Sequence, residues 1–317
     1  MNQAIDVILA SPRGFCAGVV RAIETVNLTL RSEGAPVYVL HEIVHNKHVI
    51  SELERQGAIF VKDLTQIPRG EICIFSAHGV SVETEKMATS LGLRTIDATC
   101  PLVSSIHQMV ERYHSQGYDV IIIGHHGHPE VVGTAGRVAD RVHIVASESE
   151  AERIDVSTPD KTAYVTQTTL SVNDVIGIKS VLETRFPTIK GPKSSNICYA
   201  TQNRQNAVTY LARKADLILV VGSKNSSNSN RLREVARLSG GTSYLIDDRN
   251  DIDPKWLKDV LKIGITAGAS APERLVDGVL DWLHEHVTVK KVTEMKGTEE
   301  RISFKPARFS SLNSKPV

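Results

Sequence analysis

Short apolar runs recur along the chain and stop abruptly at polar or glycine-rich positions, as in "APVYVLHE", "EICIFSAHG", "YDVIIIGHH", "TAYVTQTT", "ADLILVVGS" and "KIGITAGAS". Continuous apolar runs of this length suit strands buried on both faces of a parallel sheet. Between them the apolar positions take helical spacing, as Val103, Ile106, Val110 and Tyr113 do. Strands alternating with helices predict an α/β architecture with mainly parallel sheets. Ligands of such sheets bind outside the carboxyl ends of the strands, where these polar loops fall.

The alternation carries an internal repeat. Cys16, Cys100 and Cys198 each open a helical stretch, and Pro101 takes the first helical position, where its missing N–H costs nothing. A strand ending in a polar loop follows each cysteine 24 or 25 residues on, at His41, Gly124 and Gly222. A second strand and loop end at His78, Thr168 and Ser270. The order cysteine, helix, strand, loop, helix, strand, loop thus occurs three times. It predicts three similar α/β units, over 1–100, 101–194 and 195–287, in a pseudo-threefold arrangement about a central site. The tail 288–317 breaks the pattern: "RISFKPARF" predicts one closing strand, and "SSLNSKPV" a frayed end.

Composition narrows the class. A net charge of +1 over 317 residues offers no field for nucleic acid or a membrane surface. No apolar run approaches the roughly 18 residues of a membrane span. The N-terminal stretch, with Asp6 inside its apolar run, lacks a signal-peptide layout. Four widely spaced cysteines do not make a secreted disulfide framework. A cytoplasmic protein is expected.

Three of the cysteines sit where backbone N–H groups are unpaired and a helix dipole favours thiolate. Three thiolates converging from three repeats leave one coordination position open, which fits zinc with a water or a cubane iron–sulfur cluster with one iron lacking a protein ligand. Cys73, mid-strand among Ile and Phe, reads as core. "VVGSKNSSNSNR" places small polar residues between a buried strand and a helix N-terminus, an anion-binding device without Walker spacing. "TAGASAPERL" repeats it. His41, His45 and His48, then His78, then His125, His126 and His128 all follow strands. They suit phosphate oxygens and proton transfer near neutral pH. Glu130 reads either as a helix-start carboxylate or as a proton carrier.

The stretches "PRGFCAGV", "HEIVHN", "FSAHGV", "DATCPLV", "GHPEVVGT", "TQTTLSV", "ICYATQNRQ", "GSKNSSNSNRL" and "TAGASAP" resemble, in order, the signatures of the 4-hydroxy-3-methylbut-2-enyl diphosphate reductase family. The resemblance implies one 4Fe–4S cluster held by Cys16, Cys100 and Cys198, with one open iron. It implies a diphosphate substrate held by His45, His78, His128, Ser226, Ser227, Asn228 and Ser270, with Thr168 and Glu130 beside its hydroxyl and Glu130 delivering protons. The implied reaction removes an allylic hydroxyl with two electrons and two protons, the last step of the non-mevalonate isoprenoid pathway. No flavin or nicotinamide fingerprint is present, so electrons are expected from a partner such as ferredoxin or flavodoxin. Val20 and His126 depart from the family pattern, and Cys73 matches no ligand position. Two other readings of the residues remain at this stage: a zinc-dependent phosphate-ester hydrolase and a non-catalytic phosphate-binding module.

Overall fold

The computed structural model describes residues 4–193 and 195–309. Every ladder in it is parallel, in three sheets. Each repeat builds its sheet in the same way. The strand after the cysteine's helix takes an interior place: Val37–Leu40, Asp119–Ile123 and Leu217–Val221. The next strand takes one edge: Ala58–Val61, Val142–Val145 and Thr242–Ile246. The chain then crosses over to the other side with Ile72–Phe75, Thr162–Thr166 and Lys262–Ala267. The repeat read from the sequence lacks the edge strand. Those segments are half-buried, with Ile59 and Thr242 exposed and Val142, His143 and Ile144 of intermediate exposure, and do not bury most of their positions.

The interior strands do. Asp119–Ile123 and Leu217–Val221 are buried at every position, which requires cover on both faces. Ile121 and Ile123 enter one apolar cluster with Leu182 and Phe186, while Val120 and Ile122 enter another with Ile106 and Val110.

Two differences from the sequence expectation concern the chain ends. Ala4–Leu9, placed by sequence with the first unit, instead joins the third repeat's sheet between Lys262–Ala267 and Thr288–Glu294. The closing strand of the tail is therefore Thr288–Glu294, and 301–309 carries no regular element. The expected frayed segment, 310–317, lies outside the described residues.

The chain divides into two compact units. One gathers the strand and loop up to Cys16, the segment His45–Val49 and Tyr199–Ile302. The other gathers Ala17–Val44, Ile50–Cys198 and the residues from Ser303. The first contains the five-stranded sheet, the second the four- and three-stranded sheets. Among the described residues no helix is long and apolar enough to cross a membrane.

Candidate active site

Each of the three cysteines does open a helix: Ala17–Glu33, Pro101–Ser115 and Tyr199–Ala212 follow them directly. All three are partly exposed, and none is in a disulfide. Their amides share one arrangement. The Cys100 N–H donates to the Ala77 carbonyl at 3.0 Å, that of Cys198 to Thr168 at 3.1 Å, and that of Cys16 to Ala269 at 3.2 Å. Ala77, Thr168 and Ala269 occupy the second loop of the first, second and third repeats. Each cysteine is thus fastened to the second loop of the repeat before it, with Cys16 taking the third. The relation occurs three times.

In the larger unit, the loop after Thr162–Thr166 brings Thr168 to Glu130. The Thr168 amide donates to Glu130 Oε1 at 2.6 Å and its hydroxyl to Oε2 at 2.7 Å. Glu130 is 4% exposed. Burial pushes its pKa above the usual carboxylate range, against the two Thr168 bonds, which favour the charged form. A carboxyl that holds its proton to higher pH suits a proton donor. His128 caps the helix Pro129–Ala135, its Nδ1 accepting from the Glu130 amide at 3.2 Å. Nδ1 is therefore unprotonated, and in the neutral ring Nε2 carries the proton and is the donor. The rings of His78 and His128 meet edge to face, 5.9 Å between centroids. His78, His128, Glu130, Thr168, Cys100 and Cys198 all belong to this unit.

The smaller unit holds the hydroxyl and amide donors. Ser226 caps the helix Ser227–Leu238, its Oγ accepting from the Ser229 amide at 3.3 Å and the Ser229 hydroxyl at 3.0 Å. With both lone pairs engaged, its own O–H is left to donate outward. Asn228 is buried, yet neither Oδ1 nor Nδ2 has a hydrogen-bond partner among the described residues. A buried amide in that state costs free energy unless a ligand completes it. Gly222 and Gly268 make the packing possible: a Cβ on either would come within 2.2 Å of Ser229 Oγ. Ser270 donates from Oγ to the His45 carbonyl at 2.9 Å, tying those two residues together. Ser227 lies partly exposed at the first helical position.

Arg204 is the residue that motif reading missed. It is 1% exposed, and its guanidinium donates twice to the Gly14 carbonyl, at 3.0 and 2.8 Å, and once to that of Phe15 at 3.3 Å. Glu300 closes the pair at 3.0 Å. Arg204 so fixes the loop that leads into Cys16, and the tail supplies the counter-ion. The pairing spans 96 residues, and the one visible signal was an arginine within "ICYATQNRQ". His126, a departure from the family pattern, is exposed and pairs with Glu150 at 2.7 Å. Val20, the other, is also exposed. Cys73 is fully buried, and burial pushes its thiol up to about 12, so it stays protonated.

The donor set suits an iron–sulfur cluster: three thiols outside disulfides, partly accessible, each where a helix begins. Among the described residues no three His, Cys, Asp or Glu side chains are gathered as a site for a single metal ion.

Residues 7–284 match the profile of a family described as LytB protein. A 4-hydroxy-3-methylbut-2-enyl diphosphate reductase of Desulfotalea psychrophila is 61% identical over 96% of this chain and 97% of its own length. One from Aromatoleum aromaticum is 52% identical over 94% and 96%. The solved E-1-hydroxy-2-methyl-but-2-enyl-4-diphosphate reductase of Plasmodium falciparum superposes with a TM-score of 0.90 at 39% identity, covering 95% of this chain and 94% of that one. A second solved structure, of (E)-4-hydroxy-3-methyl-but-2-enyl diphosphate reductase, the terminal enzyme of the non-mevalonate pathway, gives a TM-score of 0.63 at 30% identity, with 89% and 99% covered.

Proposed function

The chain belongs to the LytB protein family, and from that membership we propose that it reduces (E)-4-hydroxy-3-methylbut-2-enyl diphosphate to isopentenyl and dimethylallyl diphosphates, the last step of the non-mevalonate pathway. The allylic hydroxyl leaves as water, so the reaction takes up two electrons and two protons. The observation that carries the reading is Glu130, buried, raised in pKa and held at both oxygens by Thr168, whose carbonyl in turn receives the Cys198 amide. A proton carrier and a thiol are thereby joined through one residue.

Cys16, Cys100 and Cys198 are the proposed ligands of one 4Fe–4S cluster. When bound, such a cluster with one iron lacking a thiolate supplies a Lewis-acid position and electrons. The protein's own residues do the rest. Ser226, Ser227, Asn228 and Ser270, with His45, His78 and His128, hold the diphosphate through hydroxyl, amide and imidazole donors. Contacts so far from the reacting carbon position the substrate, and their binding energy is used for orientation. Glu130 keeps its proton until the hydroxyl leaves and gives it up there. Thr168 orients the carboxyl: when Glu130 is protonated the Thr168 hydroxyl no longer needs to donate to it and can turn toward the substrate hydroxyl. A ferredoxin- or flavodoxin-type protein is the proposed electron donor, and the cytoplasm the proposed location.

Anaerobic incubation of purified protein with the substrate and a reduced viologen tests this. Release of both hydrocarbon diphosphates is expected. Hydrolysis to free phosphate or pyrophosphate in their place would replace the reading with a phosphate-ester hydrolase.

A further inference from the structure

The turn that carries His78 is packed by two helices. Gly79 lies in the left-handed region, φ +77°, where a side chain is strained. The His107 ring sits against it: a Cβ on Gly79 would come 2.5 Å from its Cε1 and 3.1 Å from its Nε2, with Thr99 Cγ2 also at 3.1 Å. Gly133 packs against the backbone of the same turn: a Cβ there would come 2.8 Å from the Gly79 carbonyl oxygen. His107 lies on the helix that begins after Cys100, and Gly133 on the helix capped by His128 that carries Glu130. The turn is further tied by the Cys100 amide on the Ala77 carbonyl and by Arg137, which donates to the Val80 carbonyl at 3.3 Å.

His107 is buried, and its Nε2 has no hydrogen-bond partner among the described residues. Burial and then the nearby Arg137 charge lower its pKa to about 4, so the ring is neutral at physiological pH. A ring that stays neutral forms no ion pair. What it offers is a flat edge against a bare Cα.

We propose that His107 is a positioning residue: its ring, together with Gly133 packed on the Gly79 carbonyl, fixes the Gly79 turn and so sets the place of His78 relative to His128 and Cys100. The functional part of this rests on the diphosphate reading, whereas the mechanical part does not.

The test pairs two measurements on the full chain with its cluster in place. Amide hydrogen exchange across 76–82 reads the turn without substrate. Titration with the diphosphate substrate reads His78. In His107→Ala, exchange across 76–82 is expected to rise at least about tenfold, as local opening becomes easier. Affinity for the diphosphate should fall about tenfold. His107→Phe, which restores a flat ring, should bring both to within about threefold of the starting protein. Gly79→Ala should also weaken binding, and adding His107→Ala to it should recover part of that loss, because the collision is relieved. Unchanged exchange in a folded His107→Ala protein overturns the proposal, as does a folded His107→Phe protein that behaves like His107→Ala. Should His107→Ala not fold, Gly133→Ala presses on the same turn, and unchanged exchange and affinity there overturn it equally. Exchange that responds as expected in a protein unable to reduce the diphosphate counts against the functional reading alone.

Discussion

Thr168 donates to both oxygens of Glu130, through its amide at 2.6 Å and its hydroxyl at 2.7 Å. Two opposed influences meet in that carboxyl. Burial raises its pKa, the two bonds lower it, and burial prevails. Glu130→Gln keeps the size and cannot supply a proton. Turnover per cluster should fall by at least the roughly 10²-fold of a lost general acid. Substrate affinity should stay within about tenfold. Anaerobic turnover and substrate titration on one preparation check both.

The same raised pKa fixes a sign for stability. The folded protein holds the Glu130 proton to higher pH than the unfolded chain does. The stabilising share is fully present below the ordinary carboxyl value and is lost as pH rises through the raised one. Glu130→Gln removes that loss. Its melting temperature at pH 8 should equal or exceed that of the parent, and its advantage should shrink on acidification. A helix-start carboxylate with no proton role predicts the reverse, a lower melting temperature at pH 8.

Thr168→Val separates the two bonds, because the amide remains and the hydroxyl goes. Losing a donor that favours the charged form moves the Glu130 pKa further up. The alkaline limb of the turnover–pH profile should move to higher pH while maximal turnover falls, and Thr168→Ser should restore both. A profile unchanged in Thr168→Val would separate Thr168 from the proton path.

Ser226 and Asn228 should behave differently although both lie at the start of the helix Ser227–Leu238. Ser226→Ala removes a helix cap and should cost about 1 kcal/mol of stability. Asn228→Ala removes two buried polar atoms that have no partner among the described residues, so stability should hold or rise. Each should weaken diphosphate binding by roughly ten- to 150-fold, the loss of a hydrogen bond to a charged group. Thermal melts and substrate titration on the two variants give the contrast.

Much of this was readable from residue order. The helices behind Cys16, Cys100 and Cys198 were visible because the cysteine and the apolar spacing after it recur, with Pro101 as a further start signal after Cys100. Glu130 and Thr168 were visible as polar ends of two strands, Asp119–Ile123 and Thr162–Thr166, which turn out to be paired neighbours with Ile123 opposite Thr166. What stayed hidden was either half-buried or remote in sequence. The edge strands Ala58–Val61, Val142–Val145 and Thr242–Ile246 are only partly buried and lack a sharp period. Parallel pairing is non-local, so nothing near Ala4–Leu9 announces Lys262–Ala267 or Thr288–Glu294 as its partners.

Arg204 and Glu300 are the functional pair of that hidden kind. Arg204→Ala leaves the Gly14 and Phe15 carbonyls and the Glu300 carboxylate without their donor. Breaking a buried pair in this way costs about 3–5 kcal/mol. Iron content should drop with it, because the loop before Cys16 loses its anchor. Arg204→Lys should not rescue, since one ammonium cannot reproduce the fork on Gly14 and the pair to Glu300. Iron analysis and melting temperature of both variants decide.

The proposed reaction removes the substrate's hydroxyl reductively at a centre held by Cys16, Cys100 and Cys198. The most direct measurement compares the parent, Cys100→Ser and Cys73→Ser, all purified without oxygen, for iron, acid-labile sulfide and viologen-coupled turnover. A cluster and both hydrocarbon diphosphates are expected from the parent and from Cys73→Ser, and neither cluster nor product from Cys100→Ser. Iron retained in Cys100→Ser but lost in Cys73→Ser would contradict the proposal, as would a parent protein that carries a full cluster and leaves the hydroxyl in place.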